Sequence, residues 1–566
     1  MLLRHACSLL ALSIAVVVPE GPVAAQQAAM QPVAADLIFE NGHILTENGW
    51  VTTMAVTRGT IIALGSASDV APHRSDNTRV IALDGQTVLP GLHDLHLHAT
   101  SAGLAQMACA IPQESDAVAV LARVRACVAG KPAGQWIVGR GYEPSVFGPG
   151  KPDRALLDAI APNNPVFLTD MSGHSSWANS AALKMAGIDR STPDPENGVI
   201  ERDGKGEPTG ILRELAARLV AVKVPPATPA QTRAALKWAV DELLAQGITQ
   251  FEDAAVSEES ARAYAELADR GELKQQVVGC LNANDAGLIA RRGLYARSRF
   301  LPSCVKMRLD GVPTEARTAA MLDEYVPTGA AGHDHGRSRG ILMMDQALLD
   351  SETIRFDAQG LTIKFHASGD AAVRAAIDAV AAARRANGNS GLRHTIAHAN
   401  FVHPQDFAKG RLAMATFEFS PYVWFPSPLT ATVTAAVGAE RMEHWTPVKG
   451  ALDVGAETVL GSDWPITPSS NPWIAMETLV TRQYPGGSSG IMGAGERVTL
   501  QQAFDLFTRQ ASRQHHRSHE TGSLAAGKLA DFIVVNQDIF AVPVTSVHKT
   551  KVLMTFIGGE QVYSSR

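Results

Sequence analysis

Leu89-Pro-Gly-Leu-His-Asp-Leu-His-Leu-His98 reads as an apolar strand that ends in histidines. Side chains alternate along a strand, so His96 and His98 project to one face with Asp94 behind them, and His93, Leu95 and Leu97 project to the other. Two imidazoles one strand step apart can grip a single cation, because neutral imidazole is the common protein ligand of zinc-like ions. Solvated or packed histidines would give the same short pattern, so the pair alone decides nothing. The deciding question is whether other strands of the chain end in the same way.

Seven further runs have the texture of buried parallel strands. They are Gly247-Ile-Thr-Gln-Phe-Glu-Asp-Ala254, Gln276-Val-Val-Gly-Cys-Leu-Asn282 and Cys304-Val-Lys-Met-Arg-Leu-Asp-Gly311, then Leu361-Thr-Ile-Lys-Phe-His-Ala367, Arg393-His-Thr-Ile-Ala-His-Ala399, Leu412-Ala-Met-Ala-Thr-Phe-Glu-Phe419 and Glu457-Thr-Val-Leu-Gly-Ser-Asp463. Helical stretches at 232–246, 258–270 and 371–387 separate several of them. Eight β/α units predict an α/β fold, a closed (β/α)8 TIM barrel over residues 91–519. Residues 101–230 break that rhythm and carry their own strands, Gln135-Trp-Ile-Val-Gly139 and Pro165-Val-Phe-Leu-Thr169, so they are expected to form an inserted α/β subdomain over the barrel mouth.

Both ends of the chain are β in texture. Residues 35–90 show short strands punctuated by Asn41-Gly42, Arg58-Gly59 and Asp84-Gly85, which predicts a small antiparallel sheet. Residues 520–566 add a strand before Asn536 and a hairpin at Gly558-Gly559. Neither piece can bury a sheet alone, so the two together are expected to build one composite β-sandwich beside the barrel.

The N-terminus has the layout of a secretory signal peptide over 1–25. Arg4 and His5 precede an apolar run from Ala6 to Val18, and Val23 and Ala25 supply the small-residue cleavage pattern. The run is too short for a span of ~20 residues. The mature chain is therefore expected to be periplasmic or secreted, with no membrane span. Four cysteines remain after the leader: Cys109, Cys127, Cys280 and Cys304. An oxidising compartment permits Cys109–Cys127 and Cys280–Cys304, one of three possible pairings, while buried free thiols are an equal alternative. With 50 Lys+Arg against 56 Asp+Glu and no basic run, nucleic acid is not an expected partner.

In such a barrel the reactive groups sit at the carboxyl ends of the strands. Those ends carry His96 and His98 (first strand), Lys306 (fourth), His366 (fifth), His398 (sixth) and Asp463 (eighth). A single strand-end histidine is usually a satisfied polar residue. Six such groups on five strands are a site.

The chain resembles the amidohydrolase superfamily, specifically the amidohydrolase family 3 branch of YtcJ-like metal-dependent hydrolases. The likeness runs from Ala35 to Tyr563. It rests on Pro90-Gly-Leu-His-Asp-Leu-His-Leu-His98, Ser172-Gly-His-Ser-Ser-Trp-Ala-Asn-Ser180, Pro208-Thr-Gly-Ile-Leu-Arg-Glu214 and Lys306-Met-Arg-Leu-Asp-Gly311. It rests also on His366-Ala-Ser-Gly-Asp370, Arg393-His-Thr-Ile-Ala-His398, Gly461-Ser-Asp-Trp-Pro465 and Gly522-Ser-Leu-Ala-Ala-Gly-Lys-Leu-Ala-Asp-Phe532.

The resemblance implies one or two divalent metal ions, usually zinc. His96 and His98 would hold the more buried ion and His366 and His398 the second. Lys306 would bridge them as a carbamate formed with CO2, since a bare ammonium has no lone pair to offer. Asp463 would bind metal and take the proton of the attacking water, passing it to the leaving amine or alcohol. His174 would steady the developing oxyanion or hold the substrate, with helix capping as its alternative. Arg140, Tyr142 and Trp464 are candidate pocket-wall residues, with core packing as the alternative. Relatives commonly carry Glu where this chain has Ala397, and the segment Val312-Pro-Thr-Glu-Ala-Arg317 also departs from the usual Gly/Ser-rich version. His333, His335, His515, His516 and His519 read as surface residues.

The expected activity is hydrolysis of an amide, cyclic amide, carbamate or ester of a small organic molecule. A metal-dependent lyase or decarboxylase on the same scaffold is the alternative, and a non-catalytic binding paralogue is a third reading. A homodimer is left open as the assembly.

Overall fold

The computed structural model describes residues 32–565 apart from 113–114, 151, 171–174, 196–197, 315–316, 328–337, 421–423, 468 and 489. The expected leader over 1–25, His174, His333 and His335 lie outside the described residues.

An eight-stranded parallel sheet forms the centre. Its strands are β1 (Leu92–Leu97), β2 (Ile248–Val256), β3 (Gln276–Asn282), β4 (Phe300–Arg308), β5 (Thr362–Ala367), β6 (Thr395–His398), β7 (Thr416–Phe419) and β8 (Thr458–Leu460), and neighbours in sequence are neighbours in space. The last strand meets the first at the rim. Asp463 N donates to His96 O at 2.6 Å, and His98 N donates to Trp464 O at 2.8 Å. This approach requires glycine at 461, since a Cβ there would lie 2.2 Å from the Cβ of His96. The barrel is an α/β TIM barrel, with helices Pro229–Ala245, Glu258–Asp269 and Asp370–Asn387 among those that cover its strands. The apolar face of Asp370–Asn387, including Val373, Ile377 and Val380, is fully buried, while Arg384 and Arg385 occupy its last turn, where cations suit the helix dipole.

Two strand boundaries differ from the reading of the sequence. Leu412 and Ala413 close the helix Pro404–Ala413, and Met414 takes a left-handed φ of 57° after it, so β7 begins only at Thr416. The run from Leu89 to His98 is two strands. Thr87–Pro90 pairs with Phe532–Val535, and the chain turns at Gly91 into the barrel. A Cβ at Gly91 would lie 2.4 Å from Thr249 Oγ1, so glycine permits the crossing from one sheet to the other.

Residues from both chain ends form two sheets. One holds Thr60–Gly65, Thr53–Thr57, Leu37–Glu40 and Arg79–Ala82. The other runs from Glu560–Ser564 through Val552–Ile557, Phe532–Val535, Thr87–Pro90 and His43–Thr46 to Gly49–Val51. The rings of Phe39, Phe532 and Phe556 pack between them, with centroids 4.5–5.2 Å apart. The N-terminal strands therefore do not make one antiparallel sheet. Leu37–Glu40 runs parallel to Arg79–Ala82, and the chain crosses to the second sheet after Asn41, whose φ is 54°.

A third sheet lies in the chain between β1 and β2, in the order Gly198–Arg202, Pro208–Glu214, Ser175–Ala178, Val166–Asp170, Ile137–Tyr142, Cys109–Ala110. Cys109 is disulfide-bonded to Cys127 on the helix Ala117–Val128, and Cys280 on β3 to Cys304 on β4. No helix among the described residues is long and apolar enough to cross a membrane.

Candidate metal centre

The two-residue period of β1 sends His96 into the barrel, and His98 follows the last strand residue, Leu97, at its mouth. Across the closing seam, Asp463 follows β8 with a left-handed φ of 56°. Its Oδ1 lies 3.2 Å from His98 Nε2 and 3.5 Å from His96 Nε2. The three potential ligand atoms fall within 4.8 Å of one another. Two imidazole nitrogens and a carboxylate oxygen are the donor set of a zinc-type ion, so the residues fit the expected group.

The other strand-end residues converge on the same point. Lys306 Nζ lies 3.2 Å from His96 Nε2. The rings of His96 and His398 are 4.8 Å apart, and those of His366 and His398 are 4.4 Å apart. His398, at a φ of 73°, brings Nδ1 to 3.9 Å from Asp463 Oδ2 and 3.4 Å from Ser420 Oγ. His366 Nε2 donates to Gly311 O at 3.1 Å, which leaves Nδ1 as the acceptor. Burial, reinforced by the Lys306 charge, pushes the His366 imidazole down to about 3, and burial holds His96 and His398 well below their ordinary value. All three are thus neutral at pH 7 and ready to donate a lone pair. Burial, with the Lys364 ammonium nearby, brings Lys306 down to about 7.

A second ring of groups, absent from the reading of the sequence, supports the first. Glu418, in the middle of β7, is buried and accepts from His96 Nδ1 through Oε1. Its other oxygen, Oε2, accepts from Lys364 Nζ, which also donates to Leu95 O at 2.8 Å and lies 3.3 Å from Glu252 Oε1. Burial disfavours the Lys364 ammonium, yet Glu252 and Glu418 outweigh it and raise its pKa. Burial also disfavours the Glu252 carboxylate, and there Lys364 and His515 outweigh it and lower its pKa. His515 Nε2 is 3.0 Å from Glu252 Oε2 and its side chain is 8% exposed, so it is a partner of the barrel interior and not a surface residue. His516 and His519 are exposed. Ala397 is in register with Glu418 on the next strand, so a carboxylate is present one strand away from the alanine.

Other acids act on the backbone of the site. Asp94 Oδ1 accepts from His96 N at 3.1 Å and Ser462 N at 2.9 Å, which ties β1 to the turn that carries Asp463. Asp310 accepts from Ser368 N at 2.9 Å, Gly369 N at 2.8 Å and Ala320 N at 3.0 Å, anchoring the loop after His366. Asp253 accepts from Tyr264 Oη at 2.7 Å at the end of β2. A charged residue between two apolar ones, as in Phe417-Glu-Phe419 and Ile363-Lys-Phe365, was the available sequence signal.

The remaining candidates lie elsewhere. Tyr142 is fully buried in the core of the inserted sheet, its ring 5.6 Å from Trp177, so it packs and does not line a pocket. Arg140 is exposed on the same strand. Trp464 is 9% exposed and packs its ring 5.8 Å from Trp238, closing the barrel rim. The buried group Glu252, Cys280 and Cys304 offers no thiolates, because the cysteines are bonded to each other.

The chain matches the profile of the amidohydrolase family over residues 79–563. It is 30% identical over 554 residues to Protein LONG AFTER FAR-RED 3 of Arabidopsis thaliana, covering 94% of this chain and 92% of that protein. It is 29% identical over 546 residues to N-substituted formamide deformylase of Arthrobacter pascens, covering 93% and 97%. Among solved structures, an uncharacterized metal-dependent hydrolase from Pyrococcus horikoshii OT3 has the same fold, with a TM-score of 0.73, 23% identity and coverage of 90% of this chain and 99% of that one.

Proposed function

The chain belongs to the amidohydrolase family, and from that premise we propose that it is an exported metal-dependent hydrolase of an amide, cyclic amide, carbamate or ester bond in a small organic molecule. The observation that carries this reading is the convergence of His96, His98 and Asp463, whose ligand atoms lie within 4.8 Å of one another. The name of the Arthrobacter relative supports an amide as the bond cleaved. The disulfides Cys109–Cys127 and Cys280–Cys304 support an oxidising compartment, periplasmic or secreted.

In this reading His96, His98 and Asp463 would hold one ion and His366 and His398 a second, and a carbamate on Lys306 would supply further oxygen ligands. Carbamylation joins the neutral Lys306 amine to CO2 with loss of a proton, and it replaces a cation beside the imidazoles by an anion with two oxygen ligands. A bound divalent ion, zinc by the character of the donor set, supplies Lewis acidity and brings a water within reach of deprotonation near pH ~7. The protein's own steps are proton transfer and orientation. The Asp463 carboxylate takes the proton of the attacking water and delivers it to the leaving nitrogen or oxygen. Glu418 keeps the proton of His96 on Nδ1, so Nε2 faces the centre with its lone pair free. His174 is the residue assigned in this reading to donate a hydrogen bond to the substrate carbonyl oxygen.

The test is metal content with activity. Protein purified without chelator should carry about one transition-metal ion per chain or more. A screen of N-formyl amines, N-acyl amino acids, hydantoins, carbamates and aryl esters, read by product mass, should give a water-dependent cleavage that chelation abolishes. Less than about one ion per chain together with no cleavage across the panel overturns the reading.

A further inference from the structure

The wall of the metal centre carries one cation with no function assigned so far. Arg308 is the last residue of β4, two positions beyond Lys306 and therefore on the same strand face, one step closer to the mouth. Its Cα is in register with that of His366 on β5. The side chain is exposed, and among the described residues it takes part in no hydrogen bond or ion pair. Its charge is felt at Lys306, Asp310 and His366. Asp310, two residues further on, forms no ion pair with it. Asp310 turns its oxygens to the backbone of Ser368, Gly369 and Ala320, and burial pushes that carboxyl up to about 7. A guanidinium beside a divalent-cation site, with no ion pair among the described residues, is repelled by the cation, and an anion bound between them relieves that repulsion.

We infer that the substrate carries a carboxylate and that Arg308 binds it at the barrel rim. This rests on the hydrolase reading above and names its substrate class. Guanidinium is the side chain whose paired N–H groups match a carboxylate in two parallel hydrogen bonds. Two strand residues span roughly 6.6–7 Å. That distance suits a carboxylate set a few bonds from the scissile carbonyl, as in an N-acylated amino acid. A neutral substrate would leave the guanidinium to solvent and gain nothing from it.

The experiment compares matched probes on metal-loaded protein: N-formyl-, N-acetyl- and N-benzoyl-amino acids, each as the free carboxylate and as the carboxamide. The wild type should favour the carboxylate by about tenfold or more in kcat/KM, the factor expected of one charge-assisted pair. Arg308→Gln should collapse that ratio toward one, and Arg308→Lys should keep part of it. Equilibrium binding of sodium benzoate, read by calorimetry, should weaken by about tenfold in Arg308→Gln. Metal content and circular dichroism establish that the variants are folded and loaded. A carboxylate preference near one in the wild type, or a ratio and a benzoate affinity unmoved in Arg308→Gln, overturns the inference and marks Arg308 as a solvated rim charge. If no probe is cleaved, the hydrolase reading still stands or falls on the wider panel and the metal content, and the benzoate titration alone decides for or against an anion site at Arg308.

Discussion

Glu418 accepts a hydrogen bond from Nδ1 of His96 across a sequence separation of 322 residues, and both side chains are buried. The contact fixes which nitrogen of His96 faces Asp463 and Lys306. It also links the rim to the barrel interior, because Lys364 donates to the other oxygen of Glu418 and lies 3.3 Å from Glu252. Carboxylates that hold a ligand imidazole in this way typically contribute 10–100-fold to metal affinity.

Glu418→Gln is therefore expected to lower metal affinity by about 10–100-fold, measured by competition with a chromogenic chelator. The amide keeps the shape of the side chain but can offer His96 its NH2 group, which opposes the Nδ1–H. Lys364 retains Glu252 as its ionic partner, so the variant should still fold. Affinity equal to wild type would remove Glu418 from the site.

His96→Ala and Asp463→Ala should each lower kcat by several orders of magnitude on any substrate found. Their structural roles differ. Asp463 N donates to His96 O and His98 N donates to Trp464 O across the seam, and these are main-chain contacts that alanine keeps. Circular dichroism should therefore be near wild type for both. Full turnover in both variants removes the proposed centre.

The barrel was legible because its strand ends repeat one message: an apolar run, then a histidine, lysine or aspartate. The supporting groups were hidden for a physical reason. Glu418 and Lys364 lie inside apolar runs, and nothing local says that each has the other as partner; the pairing exists only once β5 and β7 face the same interior. His515 looked like a surface residue because its neighbours Arg513, His516 and Arg517 are polar, yet the chain returns beneath the barrel and brings its ring to Glu252. Tyr142 looked like a wall of the mouth because it follows Arg140-Gly, but its strand buries it against Trp177. The sheet switch at Gly91 was invisible because both halves of the run are apolar.

Lys306 gives a pH prediction for assembly. Burial lowers its pKa from 10.5 to about 7, so the amine is mostly neutral above pH 7 and protonated below it. Only the neutral amine reacts with CO2. Bicarbonate should accelerate metal uptake by the chelator-stripped protein above pH 7, and the effect should fade as the pH drops below it. Lys306→Met should abolish the bicarbonate dependence. Uptake indifferent to bicarbonate at pH 8 would count against a carbamate.

His93 gives a pH prediction for stability. It points away from the centre and is 1% exposed, and its Nδ1 has no hydrogen-bond partner. Burial, with the charges of His515 and Arg517, pushes its pKa from 6.5 down to about 3. The folded state therefore binds fewer protons than the unfolded chain between those values, and stability falls as the pH drops from 6.5 toward 3. The shift corresponds to stability on the order of 4–5 kcal/mol, fully present above pH 6.5 and lost by pH 3. His93→Phe removes the titrating group and fills the site with a ring of similar size. Its unfolding free energy, followed by urea titration from pH 7 to pH 4.5, should decline less steeply than that of the wild type. Parallel declines would show that other groups govern the acid limb.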